Sequence, residues 1–347
     1  MKQISILMTL LLVLNSNISS GQVVDVITQI DQPTSVFAND TIIYFGTFEG
    51  SLFKADLDQT EKWSPVLRSS GINRSFLYGK DLYVSEFRGG TIKKTDITQT
   101  PPVTIEVIAG LSNPGGIFIE NDTLYFTEFP NRVSKLAIND PNPQAIVITD
   151  LLNRPTGLTL VGDHIYVAEF EGNKISKINF REINPFPENF VTGLNNPTEI
   201  ITDGQNLFVS EFSRDIVHHV DIKNTNPVVT ELVTDVRNPT GLCLNGSDLY
   251  ISVFGDGKIV KFEMATVGSD RLESIRPEIS LFPNPTSDVI AFSGLAEKQA
   301  YKIYNDLGTE VLKGQCNNNE QISVQQFSKG MYYIKLASAY VMPFIKI

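Results

Sequence analysis

Short runs along the chain alternate apolar and polar residues with period two, and the runs recur. Leu82–Phe87 reads LYVSEF, Leu124–Phe129 LYFTEF, Ile165–Phe170 IYVAEF and Leu207–Phe212 LFVSEF. Each closes on Glu-Phe and is followed by a tight turn and a second alternating run. Degenerate copies stand at Ile43–Phe48 (IYFGTF) and Leu249–Phe254 (LYISVF). The closing phenylalanines are 48, 87, 129, 170, 212 and 254, in steps of 39, 42, 41, 42 and 42 residues. A fixed period near forty denotes one supersecondary unit copied six times. A residue common to the copies serves the fold, so function is sought where one copy departs from the others.

Each copy holds four strand-like runs. In the fourth these are Thr156–Val161, His164–Phe170, Lys174–Phe180 and Glu188–Leu194, divided by Gly162-Asp163, Gly172-Asn173 and a Pro-rich stretch. Four short strands per repeat is the pattern of a β-propeller blade. The sixth copy stops after three runs at Met264, and Val23–Ile30 resembles Val228–Val236, the fourth run of copy five. The N-terminal segment is therefore expected to complete the last blade and remove an open sheet edge. The last seventy or so residues leave the repeat but keep period two between turn residues. The expected fold is all-β: a six-bladed β-propeller closed by an N-terminal strand, plus a small C-terminal Ig-like β-sandwich.

The two ends supply addresses. Lys2, the apolar run Ile4–Leu14 and the small polar residues up to Gly21 form the three regions of a cleavable signal peptide. The run is too short to span a membrane. The expected division is 1–21 signal peptide, 22–267 propeller, 268–278 linker and 279–347 C-terminal domain. That last segment carries Pro283-Asn284-Pro285, then Tyr304-Asn305-Asp306-Leu307-Gly308, Lys329-Gly330-Met331-Tyr332-Tyr333-Ile334 and a closing Lys346. In that order these resemble the type A C-terminal sorting domain of the type IX secretion system, with Pro283, Asn284, Pro285, Gly308, Gly330 and Lys346 as its marks. The resemblance implies engagement with that secretion machinery, export across both membranes, removal of the tail, and a location outside the cell or on its surface.

A formal net charge of -11 disfavours nucleic acid and anionic membrane surfaces as partners. The two cysteines, Cys243 and Cys316, fall in different domains and are not expected to pair.

Candidate chemistry lies where second strands end and first strands begin. Glu86, Glu128, Glu169 and Glu211 are copied with the repeat and are expected to be structural, accepting hydrogen bonds from loops. The neighbouring loops read Asn113-Pro114, Asn196-Pro197 and Asn238-Pro239. At the position after Pro-Thr, the chain aligns as Ser35, Phe76, Gly116, Gly157, Glu199 and Gly241, with Arg74 in place of a loop proline. Glu199, Arg74 and Phe76 break the repeat, and with Asn196, Asn113 and Asn238 they are the candidate ligand-binding residues at the mouth of a central channel. Glu199→Gly is expected to cost little stability there.

Leu124–Leu136 and Ile165–Ile178, with the preceding Pro-Thr-Gly, resemble NHL, gluconolactonase-like and virginiamycin B lyase-like propellers. The lyase likeness implies a histidine on the disc face, and no histidine stands at a matching loop. The lactonase likeness implies calcium, to which Glu199 would give one ligand, but no Asn/Asp set aligns with it. The leading expectation is a non-catalytic binding module for a protein, peptide or glycan. The rival is a divalent-metal-dependent hydrolase or lyase acting in the channel.

Overall fold

The structure, a computed structural model, describes residues 21–39, 41–223, 227–264, 280–284, 286–293, 295, 298–305, 309–336 and 341–347. Nearly all of the expected signal peptide, the expected linker, Pro285 and Gly308 lie outside the described residues. The chain divides into two compact units, residues 1–267 and 268–347.

The first unit is all-β. Alternating runs pair with their sequence neighbours as antiparallel, four-stranded sheets. Sheet one holds Pro33–Ala38, Ile42–Thr47, Ser51–Asp56 and Trp63–Arg68. Sheets two to six begin with the first strands Ile72–Tyr78, Pro114–Glu120, Pro155–Val161, Pro197–Thr202 and Pro239–Asn245. Each first strand packs beside the first strand of the next sheet, and Pro239–Asn245 packs beside Pro33–Ala38, which closes the cycle. Second strands are pressed on both sides: Leu82, Tyr83, Val84, Ser85 and Glu86 are all buried. Apolar clusters join successive sheets, as where Tyr83 and Ile92 of sheet two meet Ile117 and Phe126 of sheet three.

The sixth sheet takes its fourth strand from the N-terminal segment. Val23–Ile27 pairs antiparallel with Lys258–Glu263, with Val23 opposite Phe262 and Ile27 opposite Ile259. Asp25 meets Lys258 at 2.8 Å. Ile27 and Ile30 then enter a core shared by sheets six and one.

Register corrects one sequence alignment. Pro114, Pro155 and Pro197 stand opposite Glu128, Glu169 and Glu211, and Ile72 stands opposite Glu86. Ile72, not Arg74, therefore holds the proline position of sheet two. The residue before it turns the chain in a left-handed conformation in every copy: Gln32, Gly71, Asn113, Arg154, Asn196 and Asn238 all have φ between 46° and 81°. Glycine reaches that region without a Cβ penalty and asparagine tolerates it. With Gly71 making the turn, Asn73 is not the loop asparagine it resembles, and Arg74 falls level with Gly116, Gly157, Glu199 and Gly241. Phe76 moves up the strand, level with Phe37 and Phe118.

The second unit has a three-stranded sheet (Ser280–Phe282, Val289–Ser293, Ile322–Ser323) and a four-stranded one ordered Glu310–Cys316, Gln299–Asn305, Gly330–Leu336, Val341–Lys346. Ile290 and Phe292 of the first share one core with Ile303, Tyr332, Ile334 and Phe344 of the second. Asn284 Oδ1 accepts from the Ile345 amide at 2.9 Å, and the Thr286 amide donates to the Ile345 carbonyl at 2.8 Å. Asn284 and Thr286 thus pin the final strand that carries Lys346.

The closing strand generates a prediction. Burying the Ile27 and Ile30 side chains contributes on the order of 2–5 kcal/mol each, so deleting residues 22–30 should lower the melting midpoint by about 10 °C or more. A truncated protein that melts within a degree or two of the parent would refute closure by this strand.

Candidate functional site

The first strands approach so closely around the axis that side chains are nearly excluded. A Cβ at Gly116 would lie 2.4 Å from the Thr156 carbonyl oxygen, and one at Gly241 would lie 2.8 Å from Ser35 Cα. Two positions of this ring nevertheless carry long charged side chains, Arg74 in sheet two and Glu199 in sheet five. In a cycle of six these sheets are opposite, and the two side chains meet across the axis: Arg74 Nε contacts Glu199 Oε2. Both residues are buried, at 6% and 7% exposure.

A broken ring of hydroxyl bonds explains the arginine. In three sheets the residue before the second-strand carboxylate position reaches a carbonyl of the next sheet. Ser85 donates to Gly115, Thr127 to Thr156 and Ser210 to Thr240, at 2.6, 2.6 and 2.9 Å. Gly46 and Ala168 occupy this position in sheets one and four and have no hydroxyl. Their targets would be the carbonyls of Asn73 and Thr198. Arg74 covers both: Nη1 donates to Asn73 at 2.8 Å and Nη2 to Thr198 at 2.7 Å. Nη1 also reaches the Thr34 carbonyl at 3.2 Å, the target that Ser252 would have had. Ser252 Oγ is left without a partner among the described residues. One planar guanidinium satisfies what three absent hydroxyl bonds would leave open.

Glu199 supplies the counter-charge. Its Oε1 accepts from its neighbour's amide, Ile200, at 3.1 Å. Burial pushes its carboxyl above the ordinary range, and the Arg74 guanidinium pulls it back. Gly157 makes room for it, since a Cβ there would lie 2.3 Å from Glu199 Oε1.

Beyond this pair, toward the far ends of the first strands, lies a pocket of about 190 Å³. Arg74 and Glu199 line it at one end. Its walls include the half-buried Phe37, Phe76, Phe118 and Ile201, and the buried Thr159 and Cys243. These six residues share one register level, opposite Tyr44, Tyr83, Tyr125, Phe208, Tyr166 and Tyr250 respectively. Burial pushes the Cys243 thiol up to about 11, so it stays protonated. Both cysteines are free and buried.

Of the six residues expected at the channel mouth, Arg74, Phe76 and Glu199 come together around this pocket. The three asparagines do not. Asn113, Asn196 and Asn238 donate through Nδ2 to the carbonyls of Phe87, Phe170 and Phe212, at 2.8, 2.9 and 3.0 Å, and so staple each loop to the preceding sheet. Glu199 is also not an exposed rim residue: it is buried and paired with Arg74. Its guanidinium partner occupies the place a calcium ion at Glu199 would take. Among the described residues no group of three or more His, Cys, Asp or Glu could hold a metal ion.

The repeat-borne carboxylates are buried and partnered. Glu128, Glu169 and Glu211 accept backbone amides of Ser112, Asn153 and Asn195 at 3.0, 2.7 and 2.6 Å. Third strands supply the rest: Lys93 to Glu86 at 3.0 Å, Ser134 to Glu128 at 3.3 Å, Ser176 to Glu169 and His218 to Glu211. The closing phenylalanines form a half-buried rim on this side. Phe212 and Phe254 lie 5.9 Å apart, Phe87 and Phe129 5.1 Å, and Arg154 sits over both Phe129 and Phe170.

Sequence reasoning missed Thr159 and Cys243. Each is unremarkable alone, and only the strand register brings them level with Phe76.

Residues 280–342 match the secretion system C-terminal sorting domain, so the chain carries the tail its motifs resemble. That tail implies export by type IX secretion to the cell surface or the extracellular space. No curated protein sequence matches the chain. Among solved structures, virginiamycin B lyase from Staphylococcus aureus is similar at 17% identity over 70% of this chain and 98% of its own, with a TM-score of 0.53. A luciferin-regenerating enzyme is similar at 10% identity over 72% and 97%, TM-score 0.59. An auxiliary nutrient binding protein from Bacteroides thetaiotaomicron is similar at 11% over 69% and 75%, TM-score 0.57. At such identities the likeness shows a propeller-like, all-β fold alone, shared by enzymes and a binding protein.

Two predictions test the axis. Glu199→Gly leaves a buried guanidinium without its counter-charge and should cost roughly 3–5 kcal/mol in denaturant unfolding. Arg74→Lys should also destabilise, because one ammonium cannot cap three carbonyls on three sheets. A loss under about 1 kcal/mol for both would show that the pair is not structural. Glu128→Gln or Glu169→Gln should cost about 1–3 kcal/mol by disturbing a buried acceptor, read from the same unfolding curves.

Proposed function

We propose that the mature protein is a six-bladed β-propeller exported by the type IX system, acting outside the cell as a binding module. Its ligand is a protein or peptide that places one apolar side chain in the axial pocket. In this reading the C-terminal unit is an Ig-like sandwich that addresses the chain and is removed on export, and residues 1–21 are a cleaved signal peptide. The observation that carries the binding role is the internal neutralisation of the pocket floor. Arg74 and Glu199 spend their charges on each other and on backbone carbonyls, so what they leave to a ligand is an apolar, half-enclosed wall. Pockets of that kind take aromatic or aliphatic anchors, which dominate the binding energy of many interfaces. A glycan is less suited, because its hydroxyls would lose water without gaining partners.

Toluene is the simplest probe of the pocket. It should raise the melting midpoint of the secreted protein, and Ile201→Trp, which fills the half-buried end, should abolish the shift. No shift with the parent protein, or an equal shift with Ile201→Trp, would remove the axial pocket as the site. Export has its own test. Deleting residues 279–347 should leave the propeller in the periplasm of a host with this system. Full-length protein with its tail in the culture medium would count against cleavage.

A further inference from the structure

The pocket wall holds one group that the fold does not use. Five of the six residues at the level of Phe76 are Phe37, Phe76, Phe118, Ile201 and Cys243. The sixth is Thr159, only 1% exposed, lining the pocket. Other buried threonines on the first strands spend their hydroxyls: Thr156 Oγ1 donates to Pro197, Thr198 Oγ1 to Pro239 and Thr240 Oγ1 to Pro33. Thr159 Oγ1 makes no such bond among the described residues. Nor is it sealed in protein as the unbonded Ser69 Oγ and Ser252 Oγ are. A buried hydroxyl that is unbonded yet not sealed in protein opens into the cavity. Leaving such a group unpaired is costly, and buried polar groups are partnered as a rule.

Size and charge narrow the partner. An engineered cavity of about 150 Å³ lined by Leu, Ile and Phe admits benzene, so the roughly 190 Å³ here suits a single substituted ring. Phe76 and Phe118, with centroids 5.2 Å apart, give that ring aromatic surface to pack on. The Arg74–Glu199 pair adds no net charge, which argues against a charged guest. We infer that the axial pocket takes a neutral, ring-sized group bearing one hydrogen-bonding atom, a phenol being the simplest, with Thr159 as its polar partner. A tyrosine side chain of a peptide has this chemistry. The inference rests on the pocket being the binding site and adds the identity of its guest.

The test compares para-cresol with toluene by calorimetry on the secreted protein. The ratio of the two dissociation constants should favour para-cresol by about fivefold more in the parent than in Thr159→Val, the equivalent of one ordinary hydrogen bond. Thr159→Ser, which keeps the hydroxyl, should retain the parent ratio. If Thr159→Val leaves the ratio unchanged while toluene still binds, the inference fails and the pocket reading stands. If neither probe binds the parent, both fail. If Thr159→Ser behaves as Thr159→Val, the effect is one of packing and the hydroxyl is not the partner.

Discussion

Six first strands meeting around one axis leave little room for side chains, and their carbonyls must still be satisfied. That is the constraint on which the rest of the first unit depends. Small residues at Ser35, Gly116, Gly157 and Gly241 let the strands approach, and hydroxyls at Ser85, Thr127 and Ser210 tie one sheet to the next. Where Gly46 and Ala168 break that chain of hydroxyls, an unbonded buried carbonyl would cost about 1–3 kcal/mol. Arg74 repairs both gaps from a third sheet, and it can do so only because Glu199 balances it from the opposite side. The pair is then less a salt bridge added to a finished fold than a replacement for bonds the repeat failed to copy.

The carboxylate positions show the same compensation in a milder form. Four copies carry Glu and two carry Thr47 and Val253. The third-strand residue opposite the position two before each site changes in step: Lys93, Ser134, Ser176 and His218 reach diagonally to the glutamates, whereas Phe53 and Val260 hold the equivalent place in the two sheets without one. A buried carboxylate needs a donor, and a position without a carboxylate is better filled by an apolar side chain. Each sheet has therefore drifted as a unit, and His218 belongs to that internal balance.

Much of the architecture was legible in the sequence because period two, turn residues and the forty-residue repeat are local signals. The completion of the sixth sheet by Val23–Ile27 was legible too, from likeness to another fourth strand. The candidate site was half legible. Arg74 and Glu199 announced themselves as departures from the repeat, but their meeting did not, since 125 positions separate them and nothing local says that sheets two and five face each other. The misplacement of Arg74 and Phe76 by two residues has a specific cause. Gly71 took over the left-handed turn that asparagine makes elsewhere, and Asn73 then imitated the loop motif. The asparagines looked like a ligand face because the repeat lines them up. The structure shows that the repeat lines them up as staples.

Departures from a repeat are therefore of two kinds, and the difference is whether another departure answers them. Arg74 is answered by Glu199 and by the missing hydroxyls of Gly46 and Ala168, so its presence is explained without any ligand. Loss of hydroxyls in two sheets and gain of charge in two others form one closed account. Thr159 is not answered in this way. It puts a hydroxyl where the other copies have Phe, Ile or Cys, and no neighbouring sheet supplies a partner among the described residues. A fold that repairs its orphaned carbonyls from across the axis has the means to satisfy one more hydroxyl or to lose it. That Thr159 remains open to the pocket places the demand for its partner outside the chain.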